Sequence, residues 1–329
     1  MVLLQLLRRF FLVLALGLLF LGKAGASPEQ DFQNQAQADY QSIDNYVNAQ
    51  FAKSMGFITT LGWNTPPDVF DIVSGPRVEI GVGAGADLMG LPDLNKLSLG
   101  AINLGSNFNL PSAIPFPFPV ITGRVGLENG LDFGVKFLYL PTITLPDVNF
   151  SGNFWGWGLD LRYKMLDGVY LPTVTVGVSL DSMQGNFALG TAINQTSSYT
   201  DPGTSTTYNN ITFTGTNNYT LNWNTKSFGA QVQVGKDLKV VYPFAAIGFQ
   251  RNSGSITSSM TGSGTLTIPS PGSNTPTPVS VSATNVAAPV YFEPKFVLGL
   301  DFGQGLHWAV VGESNGTDIA GSTSFRVQF

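Results

Sequence analysis

Between residues 130 and 164 the sequence alternates in a way that leaves few folds open. Leu131, Phe133, Val135, Phe137 and Tyr139 fall on one face of an extended chain, and Asp132, Gly134, Lys136 and Leu138 on the other. Trp155, Trp157, Leu159, Leu161 and Tyr163 oppose Gly156, Gly158, Asp160, Arg162 and Lys164 in the same manner. Successive side chains of a strand point to opposite faces, so both stretches read as strands with one wholly apolar face. Residues 77–86 repeat the pattern, with Val78, Ile80, Val82 and Ala84 against Glu79, Gly81 and Gly83. So do residues 290–302, where Glu293, Lys295 and Asp301 share the polar face and Pro294 predicts a bulge or a strand break. The phase is strongly set, because slipping residues 130–140 by one would place Asp132 and Lys136 among the aromatic side chains. In hydrocarbon a lysine at the midplane costs about 2–4 kcal/mol.

Periodicity alone does not say whether the aromatic faces meet lipid or each other. Composition and connection lengths decide. Charged residues are 11% of the chain, against about 25% in ordinary soluble proteins. Glycine (38 residues) and aromatics (12%) are plentiful, and cysteine is absent, so no disulfide framework holds an exported fold together. Beyond residue 26 no apolar run approaches 18 residues, so no helix is expected to span a bilayer. Tight turns at 128–130, 167–168, 235–237 and 303–305 alternate with long polar connections at 103–119, 141–152, 184–225, 252–288 and 313–321. Short turns on one side and long loops on the other are the pattern of a transmembrane β-barrel. The expected fold is therefore all-β: a closed antiparallel barrel over residues 76–329. About 11 strands are visible and single-chain bacterial barrels have an even number, which predicts about 12, with 14 as the alternative.

Residues 1–26 read as a cleaved signal peptide: Arg8 and Arg9, an apolar run to Leu21, then Ala24-Gly25-Ala26. Residues 27–75 form an N-terminal segment of their own. Phe32, Ala36, Tyr40, Ile43, Val47, Phe51 and Met55 recur at spacings of four and three, which predicts an amphipathic helix over 27–56. Ser27 is the expected cap, Pro28 the first helical residue and Gly56 the stop. Two placements fit this helix: packed on the periplasmic rim, or plugging the lumen.

The C-terminal residues alternate too, with Phe325, Val327 and Phe329 on one face and Ser324, Arg326 and Gln328 on the other. This ending resembles the C-terminal strand of bacterial outer-membrane β-barrels, in which a terminal phenylalanine closes the barrel and is read by the barrel-assembly machinery. A Pro-rich apolar stretch, with Ile114, Phe116 and Phe118, falls in an expected external connection. Together with the plug candidate and the strand number, it makes the chain loosely similar in architecture to the long-chain fatty acid transporter family of the outer membrane. No signature residue of that family is matched. The resemblance implies a Gram-negative outer-membrane location, lipid as the surrounding partner and a small, hydrophobic ligand.

The residue census argues against an enzyme. There is one histidine, His307, on an alternating strand with no nucleophile singled out by spacing, and no Cys or His cluster for a metal. The glycines at 81, 83 and 85 lie in a strand without the helix a phosphate loop needs. No cofactor is expected, and a net charge of −5 argues against nucleic acid. What remains is the lumen, whose expected charges are Glu79, Arg124, Asp132, Lys136, Asp160, Arg162, Lys164, Glu293, Lys295 and Asp301. They suit either a salt-bridge network filling the interior or a ladder lining a pore, with Asp132 and Lys136 facing Arg162 and Asp160. The functions left open are a porin-like passive channel or transporter for small molecules, and a structural or surface-binding barrel acting through its long loops.

Overall fold

The computed structural model describes residues 28–63, 66, 78–90, 113–127, 130–145, 149–168, 170–200, 207–267 and 276–329. The expected signal peptide and the capping Ser27 lie outside these residues. Among these residues one helix, α1 (Pro28–Thr59), precedes eleven strands: β1 (Val78–Gly90), β2 (Ala113–Gly126), β3 (Leu131–Leu145), β4 (Phe150–Leu166), β5 (Thr173–Thr200), β6 (Thr207–Gly235), β7 (Val241–Thr267), β8 (Thr277–Ala287), β9 (Phe292–Gln304), β10 (Leu306–Ser314) and β11 (Ile319–Gln328).

Every strand pairs antiparallel with its neighbour, and β1 pairs with β11, so the sheet closes. The closing ring has ten strands, because β7 changes partner along its length. Residues 241–251 of β7 pair with β9, and residues 256–266 pair with β8. The expected count of about 12 is thus corrected to ten. The eleventh strand is real, but it belongs to a hairpin standing above the ring, so parity holds without a hidden partner.

The outward faces form a continuous apolar band. Val82, Ile121, Phe137 and Trp157 sit directly opposite one another on β1 to β4, each between 41% and 55% exposed. Their sequence neighbours Glu79, Asp132, Lys136 and Asp160 are buried. An uninterrupted apolar girdle of this size is the lipid-facing surface of a transmembrane barrel. Phe325, Val327 and Phe329 belong to it, and the seam is completed by hydrogen bonds from Val78 N to Phe329 O (3.2 Å) and from Phe329 N to Val78 O (2.9 Å).

Strands of nine and ten residues (β10, β11) are just long enough to cross a bilayer. β5, β6 and β7 have 28, 29 and 27 residues. They continue roughly 50 Å beyond the ring at a strand's rise per residue. The long polar connections expected at 184–225 and 252–288 are thus mostly strand: a trough of β5 to β8 standing on the end away from Val78 and Phe329.

Two further expectations are corrected. Phe116 and Phe118 are not in an external loop. They lie on β2, face inward and are buried, and Ile114 lies on the same strand. Pro294 neither bulges nor breaks β9. It pairs in register with Phe249 of β7, and β10 has already ended opposite Phe296, so no ladder donor is needed there.

Candidate functional site

The interior holds most of its ion pairs near the Val78–Phe329 seam and most of its apolar side chains beyond it. Near the seam Arg124 holds Asp132 (2.9 Å) and Asp160 (3.5 Å), and Arg162 holds Asp160 (3.0 Å). Arg326 bridges Glu79 (3.0 Å) and Asp301 (2.6 Å), and His307 Nδ1 lies 2.9 Å from Asp301. Lys164 sits at the rim and pairs with Asp167 of the adjoining turn (2.9 Å). A cavity of about 230 Å³ opens at this mouth, lined by Glu79, Arg124, Asp301, His307 and Arg326 among others. Of the ten charges expected in the lumen, nine are buried and Lys164 is partly buried at the rim. The expected ion pairs are corrected, although Asp132 does stand opposite Arg162 in register. Asp160 and Arg162 meet along one strand, Asp132 turns to Arg124, and Lys136 goes to Asp181. Asp181 and Glu313 were missed, although each lies on an inward position of an alternating strand.

Helix α1 ends inside the ring. The expected stop at Gly56 is corrected: Gly56 is helical, and a Cβ there would collide with the side chains of Asn252 and Glu293, so its role is close approach to the wall. The helix runs on to Thr59 and tightens through Thr60 N to Phe57 O (3.0 Å) and Leu61 N to Ile58 O (3.2 Å). Gly62, at φ 91°, turns the chain away.

The last turn carries no basic residue of its own, so its exposed carbonyls must find donors elsewhere. The wall supplies them. Lys136 Nζ donates to Leu61 O (2.6 Å) and Thr59 O (3.2 Å), and Lys295 Nζ donates to Thr60 O (3.1 Å). Each lysine is neutralised by a wall carboxylate, Lys136 by Asp181 (2.9 Å) and Lys295 by Glu313 (2.7 Å). Trp63 completes the group: its indole N–H donates to Asp181 (3.0 Å) and its ring faces Lys136 Nζ at 5.1 Å. Lys136 is on β3 and Lys295 on β9, which stand five strands apart in a ring of ten. The helix end is therefore held from opposite walls. The helix end thus lies within the ring and not on its rim.

Above this latch the lumen is mostly apolar, with Asp44, Asp87, Glu293 and Asp318 as buried exceptions. Tyr40, Ile43, Val47, Phe51 and Met55 of α1 are buried against the inner faces of β5 to β8 and β1 to β4. Phe116, Phe154, Phe187 and Trp223 form an aromatic cluster, with centroid separations of 5.2 Å for Phe116–Phe154 and 4.9 Å for Phe187–Trp223. Asp44 is enclosed in this apolar region, in the part of α1 beyond the ring. Burial holds its carboxyl above the usual range, and the nearby Ser258 hydroxyl only partly offsets this. The folded state thus binds the Asp44 proton more tightly than the unfolded one. Its contribution is favourable at acid pH and is lost as pH rises from the unfolded value toward the raised folded one. Asp44→Asn should accordingly stabilise the docked helix at pH 7 by about 1–3 kcal/mol and leave it unchanged near pH 4, as measured by denaturant titration at the two pH values.

Among the described residues the ladder beside the aromatic cluster is incomplete. β1 and β2 pair from Val78–Val125 to Gly90–Ala113, but β2 and β3 pair only from Gly126–Asp132 to Val120–Leu138. Pro115, Pro117 and Pro119 follow at alternate positions, so their missing N–H groups face one side. The β1 ladder runs through them unbroken, so that side is β3. On β3 the continuing register would set Pro141 opposite Pro117. The ladder stops where proline begins on both strands, and Phe116 and Phe118 lie immediately inside.

Residues 27–297 match the family described as "Family of unknown function (DUF6588)". No curated protein matches the sequence. Solved structures similar to the chain include a Pseudomonas aeruginosa FadL homologue, at 9% identity over 86% of this chain and 97% of that one, with a TM-score of 0.29. The Ralstonia pickettii toluene transporter TbuX shares 9% identity over 78% and 90%, with a TM-score of 0.26. The translocator domain of the autotransporter NalP from Neisseria meningitidis shares 9% over 78% and 88%, with a TM-score of 0.37.

Proposed function

We propose that this chain, which belongs to DUF6588, a family of unknown function, is an outer-membrane β-barrel that admits small hydrophobic molecules through its wall, with α1 as the movable stopper. The observation that carries the reading is the Pro-terminated ladder between β2 and β3, with the Phe116–Phe154–Phe187–Trp223 cluster behind it. An apolar solute dissolved in the outer leaflet would meet an aromatic interior there without crossing the charged mouth. Lipid is the surrounding partner, and the barrel-assembly machinery would read the Phe329 end. Passage of this kind involves no catalytic step and no cofactor, and His307 is engaged by Asp301.

Restoring ladder donors tests it. Pro117→Val with Pro141→Val returns two N–H groups to the gap. At about 1 kcal/mol per hydrogen bond, this should hold the wall shut and slow uptake of a small apolar fluorophore by roughly 30-fold, with the barrel still folded. If cells with and without the wild-type protein take up the fluorophore equally, the transport reading is lost. A structural or surface-binding barrel is then the better description. The closely filled interior and the projecting β5–β8 trough favour that second reading.

A further inference from the structure

The direction in which α1 enters the barrel follows from its contacts. Near its start, Gln33 donates to Ser280 O (3.1 Å), and Gln37 is hydrogen-bonded to both backbone groups of Ser282. Four helical residues rise about 6 Å and two strand residues about 6.6 Å, so the two glutamines match the repeat of the strand edge they cover. Tyr40 then packs on Gly262, Asn48 Nδ2 donates to Ile256 O (3.3 Å), and Thr60 Oγ1 donates to Gln250 (2.7 Å). As the helix number rises, the position on β7 falls. The helix therefore runs down β7 from the tip of the trough into the ring. Below it, Arg162 Nη1, close to the turn end of β4, donates to Pro66 O (3.1 Å). Val78 then begins β1 at the seam with Phe329.

We infer that the N-terminal segment is threaded through its own barrel, so that residue 28 lies on the opposite side of the membrane from Val78 and Phe329. Tight turns cluster at the Val78–Phe329 end, with Leu127 N to Leu131 O (2.7 Å), Leu238 N to Val241 O (3.1 Å) and the two positive-φ glycines at 303 and 305. Short turns face the periplasm in bacterial barrels. The start of α1 is then external. The lumen is thus the passage that the chain's own N-terminal segment occupies from one side of the membrane to the other. This rests on the outer-membrane placement proposed above.

The chain has no cysteine, so single-cysteine variants report on sidedness without background. Asn34 is exposed on the first turns of α1, and Tyr170 is 96% exposed in the turn between β4 and β5. In intact cells, a membrane-impermeant maleimide coupled to polyethylene glycol should shift the band of the Asn34→Cys variant. It should shift the Tyr170→Cys variant only after the outer membrane is permeabilised. If both variants fractionate with the outer membrane and both need permeabilisation, threading is overturned while the barrel reading stands. If only Tyr170→Cys is labelled in intact cells, the external start is overturned. If the protein is recovered in the soluble periplasmic fraction, the membrane reading falls and this inference with it. A gel shift on heating keeps unfolded variants out of the comparison.

Discussion

Replacing Lys136 with methionine should turn a closed barrel into a conducting one. Lys136 is wholly buried, donates to two helix-end carbonyls and pairs with Asp181. Methionine fills a similar volume but leaves those carbonyls without this donor, and leaves Asp181 with the Trp63 indole instead of a cation. Removing one member of a buried pair costs about 3–5 kcal/mol. The ring can avoid most of that cost in one way. Its backbone ladders do not depend on the side chain at 136, whereas residues 59–63 can move off the wall and let water reach Asp181. Planar-bilayer recordings should therefore show discrete conductance steps for Lys136→Met and none for the wild type, with both barrels folded by gel mobility. Adding Asp181→Asn removes the stranded charge and should recover most of the closure. The coupling between the two substitutions should be about 3 kcal/mol in a double-mutant cycle. A variant as silent as the wild type would mean that the apolar packing of α1 alone keeps the lumen shut.

Arginine at Phe137 should destabilise the lipid-embedded barrel by about 2–4 kcal/mol. Phe137 lies midway along the apolar band, with Ile121 and Trp157 beside it on the adjoining strands, and its side chain has no route to the lumen. Tyr291 provides the comparison. It is exposed at the far rim, stacked with Arg251 (4.7 Å), and arginine there should cost about 0–1 kcal/mol. Urea titrations from lipid vesicles, followed by tryptophan fluorescence, measure both. Equal costs at the two positions would mean that the band does not sit in hydrocarbon.

The girdle and the charged lumen were legible because their two faces differ so sharply in chemistry. A phase error at Lys136 or Asp160 would be costly enough that the alternation admits one solution. The trough was not legible, since in β6 and β7 the two faces are serine, threonine, asparagine and glycine on one side and only intermittently apolar on the other. That low contrast hides where a strand continues. Phe116 and Phe118 were misplaced because proline at every second position normally marks a loop. Here it marks a strand whose far side has no partner among the described residues. The apolar spacing of α1 announced a helix but carried no address, since Tyr40 and Val47 would serve equally on a rim or in a lumen. Its place depends on Lys136 and Lys295, which reach it from far along the sequence. The strand number failed for a topological reason: β7 serves two partners in succession, which no local pattern records.

Because Lys136 and Lys295 reach the helix end from diametrically opposed strands, α1 acts on the ring as a strut acts on a hoop. The circumference of the ring is fixed by its hydrogen-bonded ladders, whereas nothing in those ladders fixes its cross-section as round. Any flattening along that diameter, whether imposed by a thinner bilayer or by crowding from neighbouring proteins, alters both lysine–carbonyl distances at once. The bore and the roundness of the wall are thus one mechanical variable.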